Sequence, residues 1–302
     1  MDYDAVATVM PPAIPDVTRP VPARAHWQAR LSLGFADDQG TTRLVECTHL
    51  GPLRVQKPLY PEGPGVCHAI VVHPPGGVVG GDQLAIAANL QDAARALVTT
   101  PGAAKWYRAN GHGSRQDVRL TAGARTTLEW LPQETIFFNG ADVQLGQEVV
   151  LAQDASYIGW DILCFGRTRS GESFDAGRIG QRTSVRRGGK LVWFEQGTID
   201  GGGSAMHSPL SLAGHTVCAT LIAVGKAMPA PLIQALREQA ACIANGDGRT
   251  GQTGLSQMKQ VCVLRYLGNS SETARQVMIG AWQLLRPALL ARDAIVPRIW
   301  QT

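Results

Sequence analysis

The chain has 302 residues, of which 44% are hydrophobic and 17% charged, with a formal net charge of +4. That length can bury a sizeable core, as one large domain or two smaller ones. The slight charge and the lack of any Lys/Arg run exclude a nucleic-acid footprint, and no stretch approaches the roughly 18 apolar residues of a membrane span.

In chain order, residues 1–24 carry Pro11, Pro12, Pro15, Pro20 and Pro22 with little periodicity, and an extended, disordered tail is expected there. From Ala25 the pattern has period two. Ala25, Trp27, Ala29, Leu31, Leu33 and Phe35 alternate with polar residues, the mark of a half-buried strand. Short strand-like runs recur to about Val224, so residues 25–225 form a β-rich body. Within it Leu90…Ala94, Leu120…Ala124 and Leu151…Ala155 repeat, their starts 30 and then 31 residues apart. A two-strand unit stacked on its copies gives such spacing. The fold class is therefore mainly β, a layered, β-helix-like stack of strands. Arg186-Arg187 before Gly188-Gly189-Lys190 reads as a basic hairpin turn. Residues 226–302 form a C-terminal α/β segment packed on the body. It has a helix from Pro231 to Asn245, a flexible loop over 246–254 and a strand from Gln260 to Leu267. A second helix is capped by Ser271, and Pro287 bends or ends it.

Local enzyme signatures are missing. There is no Walker A or Rossmann glycine pattern, no His-Glu-x-x-His and no Gly-x-Ser-x-Gly. The six cysteines (Cys47, Cys67, Cys164, Cys218, Cys242, Cys262) never form Cys-x-x-Cys. Met1-Asp2-Tyr3-Asp4 leads into no apolar stretch, so a cytoplasmic protein with reduced thiols is expected. The seven histidines are scattered; His112 and His207, in glycine-rich loops, are expected to be exposed. So few charges leave apolar surface uncovered, and aggregation of the chain on its own is expected.

The densest motif is His73-Pro74-Pro75-Gly76-Gly77-Val78-Val79-Gly80-Gly81-Asp82. Prolines and glycines make a tight turn that presents Asp82. No Lys-Ser/Thr follows, so it is not a phosphate loop. Asp82, Glu129, Glu134, Asp161, Glu172 and Glu195 all lie in or beside apolar, aromatic strands, where a charge must be paired or solvated. Two readings stay open. Either Lys105, Arg108 and Arg167 pair these groups in internal salt bridges, or the carboxylates line a hydrated passage that attracts a divalent ion yet releases it.

The glycine decamer, Thr99-Thr100-Pro101-Gly102-Ala103-Ala104-Lys105-Trp106-Tyr107-Arg108, Leu131-Pro132-Gln133-Glu134-Thr135-Ile136, Trp160-Asp161, Gly166-Arg167 and Gly171-Glu172-Ser173-Phe174 come in this order. Together they resemble the UreD family of urease accessory proteins, called UreH in some lineages, from about Ala25 to Trp300. The resemblance implies a β-helical, non-enzymatic scaffold that binds apo-urease with UreF and the GTPase UreG and assists nickel delivery. It implies no tightly bound cofactor, only transient Ni²⁺. Asp82, Asp161 and Glu195 match acidic positions implicated in metal passage. The resemblance assigns support roles to the glycine loop (His73, Gly76, Gly77, Gly80, Gly81) and to Lys105, Arg108, Glu134, Arg167 and Glu172. The C-terminal helices and the segment Val296-Pro297-Arg298-Ile299-Trp300 are expected to face partners, with Trp300 an apolar anchor near the chain end. A β-helical carbohydrate-active enzyme with paired carboxylates and a plain interaction scaffold without a metal route remain the other classes.

Overall fold

The computed structural model describes residues 26–301, so the tail expected over residues 1–24 lies outside the described residues. The alternating run forms β1 (Gln28–Asp38), with Ala29, Leu31, Leu33 and Phe35 turned into the core and Trp27 left exposed before it. β1 folds back onto β2 (Thr41–Leu50). β3 (Arg54–Val55) and β4 (Cys67–Val72) come next. A coil then begins to repeat. Its first turn is β5 (Gln83–Leu90), β6 (Arg95–Thr99) and β7 (Ala104–Trp106). Its second is β8 (Ser114–Ala122), β9 (Thr127–Leu131) and β10 (Thr135–Phe137). Its third is β11 (Asp142–Leu151) and β12 (Ser156–Phe165). Equivalent strands stack in parallel: β5, β8 and β11 in one sheet, β6, β9 and β12 in the other, with β7 beside β10. This is the β-helix-like stack that the repeat implied.

The repeat differs from expectation in its second copy. Leu90 and Leu151 each align with Ala122, not with Leu120. Leu120 and Ala122 both point inward, because side chains alternate with period two. A slip of two residues keeps every side chain on its own face, so hydrophobic pattern alone does not fix it.

β13 (Arg178–Arg187) and β14 (Lys190–Asp200) close the coil as a hairpin. Its two-residue loop is Gly188-Gly189 with φ of 54° and 76°, the positive values that let tightly joined strands keep their twist. A short α1 (Ser204–His207) leads to β15 (Val217–Val224), then α2 (Ala230–Asn245). β16 (Gln252–Met258), β17 (Val261–Gly268) and α3 (Ser271–Leu290) complete the fold. Seven strands make one sheet in the order β14-β13-β11-β8-β5-β1-β2. The second sheet has the order β16-β17-β15-β12-β9-β6-β4-β3, with β10 attached to β12 and β7 to β10.

Three local expectations change. Residues 252–254, expected in a loop, begin an edge strand that pairs with β17 across the turn at Lys259. The cap of α3 is Ser270, whose hydroxyl accepts the Thr273 N–H. Pro287 sits inside α3, which runs on to Leu290. Burial of Leu285 and Leu289 on either side of Pro287 offsets the one missing backbone bond. The core has two layers. One lies between the sheets, around Phe35, Trp106, Tyr157 and Phe165. The other lies between the ten-stranded sheet and α2 and α3, around Trp160, Trp282 and Trp300.

Candidate functional site

The glycine loop runs alongside β7, with Val78 bridged in parallel to Trp106. Val78 donates its N–H to the Lys105 carbonyl at 2.8 Å and accepts from Tyr107 N–H at 2.9 Å. The Tyr107 hydroxyl donates to the Gly76 carbonyl at 3.0 Å, and Gly77 lies directly over Lys105 and Tyr107. At Gly80 a Cβ would stand 2.6 Å from the His112 carbonyl oxygen, and Gly81 has a φ of 96° beside the His26 ring. Side chains are therefore barred from both positions. Asp82, 6% exposed, closes the loop: its Oδ2 accepts Val79 N–H at 3.1 Å and its Oδ1 accepts Trp27 N–H at 3.2 Å. Both oxygens are committed to backbone. Burial lowers the pKa of His73, so its imidazole tends to stay neutral.

Asp161 and Glu195 come together away from that loop. Asp161 sits mid-β12 and Glu195 on β14, so one comes from each sheet. Both line a cavity of about 650 Å³ with Gln181, Cys218, Arg265 and Leu210. Burial, and then the charge of Glu195, pushes the Asp161 carboxyl up to about 6. Its hydrogen-bond donor is Gln181 Nε2, at 3.4 Å. Glu195 is held by Arg265 Nη1 at 2.8 Å. Burial raises the Tyr157 hydroxyl far above its ordinary value, helped by the Asp161 charge, and Gln147 Nε2 donates to that hydroxyl at 2.8 Å.

This cavity is one of a row between the sheets. A narrow middle cavity of about 50 Å³ shares Asp161 and Gln181 with it. On its other side the middle cavity shares Thr100, Ala104 and Gln116 with a cavity of about 190 Å³ under the glycine loop. Asp161 thus stands at one junction of the row and Ala104 at the other. No group of three or more His, Cys, Asp or Glu side chains among the described residues is placed to hold a metal ion.

The remaining carboxylates are paired, mostly by arginines far along the chain. Glu134 meets Arg275 at 3.6 Å and gives its carbonyl to Ala104 N–H. Glu172 accepts from Arg167 Nε at 2.8 Å and from Asn139 N–H at 2.7 Å, and the Arg167 bonds, with that backbone bond, lower its pKa. Arg167 also lies over the Phe138 ring, and Arg108 packs its stem on Gly140. Glu129, 1% exposed, receives Arg286 at 3.0 Å and the Trp282 indole at 2.6 Å. Arg286 further binds Glu62, which binds His68 at 2.5 Å. Burial opposes the Glu62 charge, yet hydrogen bonds from His68 and Arg286 bring its carboxyl down to about 2. Trp300 is 7% exposed; it packs on Trp160 and Trp282 and donates its indole N–H to the Thr99 hydroxyl at 2.8 Å. Its ring is thus spent on this chain's own core. His112 and His207 are exposed, as expected.

Sequence reading missed the arginines that answer the carboxylates: Arg265, Arg275 and Arg286. One signal was available. Arg286 lies four residues after Trp282 on the buried stripe of α3, where an arginine needs an acidic partner.

Fold and site define a β-solenoid scaffold with a polar, carboxylate-bearing row of cavities between its layers. Residues 28–301 match a family described as UreD urease accessory protein. A urease accessory protein UreD from Janthinobacterium sp. (strain Marseille) is 66% identical over 275 residues, which are 91% of this chain and 92% of that one. One from Nitrosospira multiformis is 54% identical over 281 residues, 93% and 98% of the two chains. One from Dechloromonas aromatica is 49% identical over 276 residues, 91% and 95% of the two chains. The chain belongs to the UreD urease accessory protein family. Its role lies in urease maturation, as a chaperone. No helix among the described residues is long and apolar enough to cross a membrane.

Proposed function

We propose that the chain binds apo-urease together with UreF and UreG in the cytoplasm and passes nickel toward the urease active site through the cavities between its sheets. Nickel is cargo on this reading, and GTP hydrolysis belongs to UreG. The observation that carries it is the row of three cavities with shared lining residues and Asp161 at a junction. A transit route needs carboxylates that attract a divalent ion and too few fixed ligands to retain it. Asp161 and Glu195 supply the attraction. Leu210, 97% exposed at the rim of the large cavity, gives that end an apolar contact that a docked partner would cover. The six cysteines are all free, in keeping with a reducing compartment. Asp82, with both oxygens on backbone N–H groups, serves the passage by fixing the loop that roofs its other end.

Ala104→Leu tests the route without altering charge, because Ala104 lines both the middle cavity and the glycine-loop cavity. In urease activation reconstituted from purified components, the variant is expected to co-purify with apo-urease, UreF and UreG. Activation is expected to slow by about tenfold or more. Wild-type activation by a variant that assembles normally would leave the chain a scaffold with no metal route.

A further inference from the structure

Arg265 stands among the groups that line the large cavity, and the passage as described gives it no task. It lies on β17, opposite Thr220 of β15 and Gly254 of β16, in the ten-stranded sheet. Its partner Glu195 lies on β14, at the edge of the other sheet. The 2.8 Å ion pair therefore spans the gap between the layers where the cavity opens. Both side chains keep partial contact with solvent, at 47% and 33% exposure, so the pair can open and close without burying a bare charge.

Charge balance gives the pair a meaning. Asp161⁻, Glu195⁻ and Arg265⁺ together leave the cavity with one net negative charge. Without the guanidinium the two carboxylates carry two, the complement of a divalent cation, in a partly enclosed space where attraction is poorly screened. Such a site would hold its ion. Cys218 adds no thiolate to it, because burial pushes its thiol up to about 12, and the nearby Arg265 acts against that rise. Any gain in affinity on losing Arg265 must then come from the carboxylates.

We propose that Arg265 is a resident counter-ion that competes with the transiting metal for Glu195 and so keeps the cavity from trapping its cargo. This rests on the passage reading given above. An incoming divalent ion displaces the guanidinium from Glu195, and on its departure the guanidinium returns. Entry and exit thus exchange one cation for another at the same carboxylate.

Nickel binding to the full-length chain tests the proposal, measured by equilibrium dialysis with nickel chloride near neutral pH. Arg265→Gln is expected to bind Ni²⁺ about tenfold or more tightly than wild type. Arg265→Lys keeps the charge and is expected to stay near wild type. Adding Glu195→Gln to Arg265→Gln is expected to abolish the gain. Arg265→Met serves as a second neutral variant should Gln disturb the fold, which circular dichroism reports. A folded neutral variant that binds no more tightly than wild type overturns the proposal, as does a gain that survives loss of Glu195. Neither result depends on urease, so the passage itself can fail the Ala104→Leu test while Arg265 passes this one, or the reverse.

Discussion

Asp82, Glu129 and Asp161 are three carboxylates in apolar surroundings, and the structure treats them differently. Asp82 is answered by two backbone N–H groups and Glu129 by a guanidinium and an indole. Asp161 has one long bond from an amide and a second carboxylate for a neighbour. Its folded-state value of about 6 lies above the ordinary carboxylate range, so between about pH 4 and 6 the folded chain holds a proton that the unfolded chain has released. Stability from this group is present below that window and is lost as pH rises through 6. Asp161→Asn is therefore expected to stabilise the fold by about 1–3 kcal/mol at pH 7.5 and by nearly nothing at pH 4. Asp82→Ala orphans two N–H groups and is expected to lose about 1–3 kcal/mol at pH 7.5. Urea denaturation of both variants at the two pH values decides. An Asp161→Asn chain no more stable than wild type at pH 7.5 contradicts this account of the site.

Among the elements, α3 shows how the C-terminal segment is fastened to the coil. Arg286 reaches from the C-terminal half of α3 to Glu129 on β9 and to Glu62 in the β3–β4 connection, and also donates to the Asp293 carbonyl. Removing one partner of a buried set leaves the other charge bare, which costs more than the pair contributes. Arg286→Met is expected to lose about 3–5 kcal/mol and to raise amide exchange in α3 and at residues 59–68. Unchanged exchange in α3 would contradict the fastening role. Both long helices were legible from their apolar stripes, and so was β17. The cap was misplaced by one residue because Ser270 and Ser271 are adjacent, and only backbone geometry chooses between them. The stacked repeat was legible, but its second copy was read two residues out, since a period of two cannot see an even slip. The strand at 252–258 was hidden by Gly251 and Gly254 in an edge strand that borrows its order from β17.

For the molecule as a whole, the two sheets meet along a core that is apolar at one level and hollow at another. The hollow is where Asp161 and Glu195 converge, one from each layer. That convergence could be anticipated only through the family resemblance; composition shows the carboxylates but not their meeting. Arg265, Arg275 and Arg286 escaped because they answer partners dozens to more than a hundred residues upstream. The local partners chosen instead, Lys105 and Arg108, turned out to serve the glycine loop and Gly140, and only Arg167 found a nearby carboxylate. Trp300, read as a contact for other proteins, completes a cluster of tryptophans with Trp160 and Trp282. The exposed apolar residue beside the hollow is Leu210.

The most direct measurement is the rate of urease activation supported by Asp161→Asn in the reconstituted complex at pH 7.5, taken on the preparation whose stability has been measured. The expected result is a chain at least as stable as wild type that assembles fully yet activates urease about tenfold or more slowly. Wild-type activation by that more stable, neutral variant would contradict the carboxylate-lined passage.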